Sequence, residues 1–167
     1  MNTSKAAPGY REYKPAIYKR RIALTLSETA LLKTIGLIDA FDGEVGWHGT
    51  VKRMDKALFT VEDIFVYPQD TSTASVDTHQ APYEKWLYTQ PNEVFNHMRM
   101  HSHSHFNFAV CPSVKDDLHR NKLVEQLSDD MFYIFMIWNK DYELHIMMYD
   151  HGAGLLYNNS GIKFSLS

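Results

Sequence analysis

The sequence predicts an α+β domain, a mixed β-sheet flanked by helices, built as one domain from 167 residues. Three observations carry that prediction. Apolar runs of strand length recur along the chain, at 58–67, 131–138 and 143–149. Between them lie segments with a helical repeat, each opened by a capping serine, Ser27 or Ser113. A hydrophobic content of 44% and a charged content of 22% are ordinary for a globular chain with a packed core.

The elements follow in order. Residues 1–14 are polar, contain Pro8 and Gly9 and read as a flexible arm, which leaves 15–167 as the domain. Residues 15–26 read as a strand. Ser27 caps a helix running to about Phe41, with Ala30, Leu31, Ile35 and Ile38 on one face. Asp42-Gly43 makes a turn, and a strand follows over 44–53. The strand at 58–67 is rich in Phe, Val and Ile and stops at Pro68. Residues 69–80, rich in Thr, Ser and Asp, form an exposed excursion. Pro82 begins a short helix through Tyr88 that Pro91 ends, with Tyr83, Trp86 and Leu87 packing it onto the sheet. A strand from about Phe95 carries His101, His103 and His105. Pro112-Ser113 opens a helix to about Leu127. Asn139-Lys140-Asp141 joins the next two strands as a hairpin. Gly152, Gly154 and residues 158–161 predict one more turn and a final strand.

Composition narrows the function classes. A net charge of -3 gives no reason to expect a nucleic-acid partner, and the cluster Lys19-Arg20-Arg21 is local. The single cysteine, Cys111, excludes an internal disulfide and a Cys-rich zinc site, and reads as a small buried residue before Pro112. No apolar leader and no apolar run of membrane-spanning length occurs, so the expectation is a cytoplasmic protein without a membrane partner. Nothing in the residues speaks to oligomeric state.

The chemistry concentrates in 103–116. His103 and His105 share one face of a strand, because side chains alternate with a period of two. Asp116 falls in the first turn of the following helix, where a carboxylate can meet the same point. Two imidazoles and one carboxylate make a three-ligand zinc site with a fourth position open to water. Ser113 lies three positions before Asp116 on the same helical face, suited to donate to an oxyanion; Ser-x-x-Asp ahead of a helix is also a capping pair. The pair His101/His103 is a rival register, but it places Val114 where the carboxylate is needed. His101 is expected to be a wall or surface residue rather than a ligand, His48 to be a packing residue, with lining the cleft as its alternative, and His79, His97, His119, His145 and His151 to be surface or core residues. Glu44, at a strand start after a turn, is the candidate base.

Glu44, then His103-Ser104-His105, Ser113 and Asp116, resembles the JAMM (MPN+) metalloprotease motif: an upstream glutamate, H-[ST]-H, seven residues, S, two residues, D. The block Glu44-Val45-Gly46-Trp47-His48-Gly49 is similar to that family's glutamate segment, and the order of elements agrees from about residue 20 onward. Phe106 departs from the proline that many members carry after the second histidine. The excursion at 69–91 is short beside the insertions that grip ubiquitin in eukaryotic relatives. The resemblance implies a cytidine-deaminase-like MPN/JAB fold, closest to the stand-alone bacterial or phage branch. It implies one zinc ion per chain on His103, His105 and Asp116, with Glu44 and Ser113 catalytic. The implied activity is hydrolysis of a peptide or isopeptide bond in a protein or peptide substrate, including one with a ubiquitin-like C-terminus, or in phage protein processing. Two alternatives stand beside it: a non-catalytic binding or assembly protein, and a metal-dependent amidase on a non-protein substrate.

Overall fold

The computed structural model describes residues 13–15, 21–71, 76–106, 109–129 and 131–166. Most of the expected N-terminal arm, residues 16–20 of the first expected strand with Lys19 and Arg20, and the tip of the excursion lie outside them. The elements in chain order are β1 (Lys14–Pro15), β2 (Ile22–Leu26), α1 (Glu28–Ala40), β3 (Gly46–Arg53), β4 (Leu58–Val66), β5 (Asp70–Thr71), β6 (Val76–Asp77), α2 (Gln80–Thr89), α3 (Asn92–His97), β7 (Met98–His105), α4 (Val114–Val124), β8 (Phe132–Asn139), β9 (Leu144–Asp150), β10 (Leu155–Asn158) and β11 (Ile162–Leu166).

Nine strands form one mixed sheet in the order β1-β10-β9-β8-β7-β3-β4-β2-β11. The first and last described strands therefore both belong to it. β7 and β8 run parallel, joined by α4, whereas β3 pairs antiparallel with both β7 and β4. The core sits on the face carrying Leu24, Leu26, Trp47, Phe59, Met100, Ile134, Met136 and Met148. On α1, Ser27 accepts a hydrogen bond from the Ala30 amide, as a cap should, and Ala30, Thr34 and Ile38 are the buried residues. Thr34 replaces Leu31 and Ile35 in the expected buried stripe; both of those are only partly buried.

The expected helix-flanked sandwich of the MPN/JAB type is not what the chain forms. It is mostly sheet, and the sheet curls into a half-barrel. Ring contacts demonstrate the curl. Phe59 on β4 and Phe132 on β8 have two strands between them, yet their centroids are 4.8 Å apart. Flat strands at ~4.8 Å spacing would hold them about 14 Å apart. Trp138 on β8 and Phe164 on β11, with four strands between, are 6.1 Å apart. Arg53 on β3 likewise reaches Asp150 on β9 at 3.1 Å. The sheet thus covers much of its own core, and beyond α1 the helices add little: α2 and α3 bury no residue, and α4 buries only Val124. The sequence pattern shows which residues are apolar, but closure is set by long-range pairings such as Trp138 with Phe164.

Smaller departures have local causes. The strand expected from Phe95 begins at Met98, because Pro91 starts a six-residue helix first. The tail holds two strands: Asn158–Gly161 makes the turn, and β11 then pairs parallel with β2. The hairpin after β8 turns through Tyr142 at φ 58, with the Asn139 side chain accepting from the Asp141 and Glu143 amides. Among the described residues, no helix is long and apolar enough to cross a membrane.

Candidate metal centre

The face of β7 opposite the core carries His101, His103 and His105, while Met100, Ser102 and Ser104 point the other way. The carboxyl end of β7 is where the chain leaves for α4, so the first turn of that helix returns over His103 and His105. Because β3 is antiparallel to β7, its beginning lies at the same end, with Gly46 opposite His103. Two bonds pin that corner: Ser104 N donates to Val45 O at 2.9 Å, and Val45 N donates to Ser104 Oγ at 3.2 Å. Glu44 is the next residue back. Three separate segments therefore converge through strand order alone.

His103 Nε2 and His105 Nε2 are 3.0 Å apart. Asp116 Oδ1 lies 3.3 Å from His103 Nε2, and Oδ2 lies 3.8 Å from His105 Nε2. Tetrahedral ligands at about 2.0–2.2 Å from a zinc ion sit about 3.3–3.6 Å from one another; the trio lies near those separations, with Asp116 approaching the two rings through different oxygens. His105 Nδ1 lies 3.0 Å from Ala109 O. A carbonyl only accepts, so Nδ1 carries the proton and a neutral His105 presents its Nε2 lone pair to the centre. Without a cation, two ring nitrogens this close must share a proton. A divalent ion at the same point satisfies all three ligands together.

Electrostatics agree with this arrangement at His103 and Asp116 and oppose it at His105. Burial pulls His103 down to about 4, against the opposing pull of Asp116, so the ring is neutral at physiological pH. The nearby Asp116 carboxylate raises His105 despite burial. Burial would raise the Asp116 carboxyl, but the nearby His105 and His103 and two donors from Ser113 hold it well below the usual carboxylate range. Glu44 is half-buried, and burial followed by Asp116 raises its carboxyl, while His105 and Lys115 oppose the shift. A raised carboxylate beside the trio is suited to accepting and returning a proton.

Ser113 is a helix cap in this structure. Its N and Oγ donate to Asp116 Oδ2 at 2.7 and 2.6 Å, and its Oγ accepts from Asp116 N at 3.2 Å, a reciprocal capping box. The box also fixes the rotamer of a candidate ligand. For Ser113 to donate to an oxyanion, its hydroxyl hydrogen must turn away from Asp116.

Some residues behave differently from their sequence reading. Cys111 is exposed, in the stretch 109–113 that leads into α4. His48 is buried in packing, where its Nε2 bonds the Tyr83 hydroxyl at 2.9 Å and its ring stacks on Trp86, which docks α2; His101 bonds the Tyr67 hydroxyl at 3.0 Å and lines the cavity beside His103. His119, Arg120 and His145 were not singled out as site residues, yet they line a cavity together with His103 and Asp116. One signal was available: His119 and Arg120 lie three and four positions after Asp116, on the same helical face.

No family model matches the chain, and no curated protein does. Among solved structures, the chain is similar to the solution structure of protein DSY2949 from Desulfitobacterium hafniense, a structural genomics target. The identity is 15%, the TM-score is 0.54, and the match covers 86% of this chain and 94% of that one. At that identity the likeness concerns the fold alone.

Proposed function

We propose that the chain is a zinc-dependent hydrolase that cleaves a peptide or isopeptide bond with a JAMM-type set of residues, carried on a sheet-dominated fold. The observation supporting this is the convergence of one donor atom each from His103, His105 and Asp116 to within 4.8 Å of one another. Glu44 stands beside them, held by the Val45–Ser104 clamp. His103, His105 and Asp116 would hold the ion, which when bound supplies Lewis-acid polarisation of the scissile carbonyl and acidifies water. Glu44 accepts a proton from the attacking water and passes it to the leaving amine. Ser113 keeps Asp116 in place and offers a hydroxyl to the developing oxyanion once its hydrogen turns.

The test is Glu44→Gln, assayed on a panel of peptide and isopeptide fusions. The variant keeps the metal, because Glu44 is not a ligand, and loses about a hundred- to ten-thousand-fold in rate. A variant as fast as the wild type refutes the mechanism.

A further inference from the structure

Strand register places His103, Ile137 and His145 in one row across β7, β8 and β9. At ~4.8 Å per strand, the ground above Ile137 lies one strand from the metal ligand and one strand from His145. α4 roofs this ground, presenting Asp116 and, one turn later, Arg120. The cavity between has a volume of about 20 Å³, against the ~10–15 Å³ that one water needs on the same measure. It has room for one water-sized group, such as one oxygen of a carboxylate.

Two buried nitrogens in the walls of this cavity, Arg120 Nε and His145 Nε2, find no hydrogen-bond partner among the described residues. The rest of the guanidinium is fixed, by Asp117 Oδ1 at 2.5 Å and Met147 Sδ at 3.4 Å. An arginine N–H can only donate, and leaving it unpaired in the interior is costly. The remaining walls combine the apolar Phe135 and Met147 with His101, His119 and, on the metal side, His103 and Asp116. On the side away from Asp116, a fixed cationic donor and an imidazole suit an oxygen that bears negative charge.

We propose that Arg120 and His145 form a carboxylate subsite beside the metal centre, so that the preferred substrate is an amide whose leaving amine is a C-terminal amino acid. This rests on the hydrolase reading and narrows its substrate class. One residue spans about 3.3–3.6 Å, so an amide carbonyl at the trio places the carboxylate of the next residue over Ile137. In the reaction, water supplies the new C–O bond and the C–N bond breaks. The proton travels through Glu44 to the departing amine, and the released amino acid keeps its carboxylate against Arg120.

Binding is measured by calorimetry with N-acetyl-L-alanine and its neutral isostere N-acetyl-L-alaninamide, on chelator-treated and on zinc-loaded protein. The carboxylate is expected to bind both forms, and the amide neither. Arg120→Gln and, separately, His145→Ala should each weaken carboxylate binding about ten- to a hundredfold. Equal binding of acid and amide, no binding of either, or unchanged affinity in both variants overturns the subsite. Should Arg120→Gln fail to fold, His145→Ala decides alone. Because no turnover is involved, a subsite can be found in a protein that hydrolyses nothing. Conversely, cleavage of internal or isopeptide bonds as fast as C-terminal ones removes the subsite and keeps the hydrolase.

Discussion

Gly46, on β3 opposite His103, is where the strand beside the candidate ligands is most sensitive to an added atom. A Cβ there would lie 2.1 Å from the Tyr67 hydroxyl oxygen and 2.9 Å from Tyr67 Cζ. Tyr67 is only 5% exposed and its hydroxyl bonds His101, so the ring has nowhere to retreat without breaking that bond. Gly46 cannot move either: Gln69 holds its N–H at 2.6 Å and its carbonyl at 2.7 Å, and it pairs with His103. Overpacking of this kind costs about 1–3 kcal/mol, and the lost hydrogen bond adds about 1 kcal/mol. Gly46→Ala should therefore destabilise the protein by roughly 2–4 kcal/mol, lowering Tm by ~5–15 °C for a chain of this size. Urea titration measures the first and calorimetry the second. In a Tyr67→Phe background the hydroxyl clash is gone, so the same glycine substitution should cost at least about 1 kcal/mol less. A Gly46→Ala protein within about 0.5 kcal/mol of wild type, or equal costs in the two backgrounds, would refute the packing argument.

Further expectations concern charge and catalysis. Burial lowers His48 to about 4, so between about pH 6.5 and pH 4 the unfolded chain binds a proton there that the folded chain does not. Stability contributed by neutral His48 is complete above that window and falls, by about 3 kcal/mol in all, as the pH drops through it. In zinc-free protein, His48→Gln should flatten the fall in stability between pH 6 and pH 5 by about one proton; an unchanged slope contradicts a buried neutral ring. Ser113→Ala removes the capping box and should cost about 1 kcal/mol of folding. If the hydroxyl also serves the oxyanion, turnover falls by the equivalent of about 2.7–4 kcal/mol. Normal turnover by the folded fraction leaves Ser113 as a cap alone.

The candidate ligands were legible in the sequence for a physical reason. A period of two fixes which histidines share a face, and a capping serine fixes where the helix bearing Asp116 begins. Both signals are local, as are the Ser27 cap and the Asn139 hairpin. What the sequence did not disclose depends on distant partners. The curl arises from contacts such as Trp138 with Phe164, which no window of the chain contains. His145 reaches the cavity only through the register of β9 on β8, and the exposure of Cys111 depends on what does not pack over it. The short helix before β7 was hidden by Pro91, which reads equally well as the end of one helix and the start of another.

The central claim is that His103, His105 and Asp116 hold one zinc ion. Elemental analysis of protein purified without chelator and then dialysed against zinc tests it most directly, alongside a His103→Ala/His105→Ala variant. The account predicts one zinc per chain in the wild type, and loss of it in the folded double variant. No zinc uptake by the wild type, or equal uptake by the variant, would contradict the account.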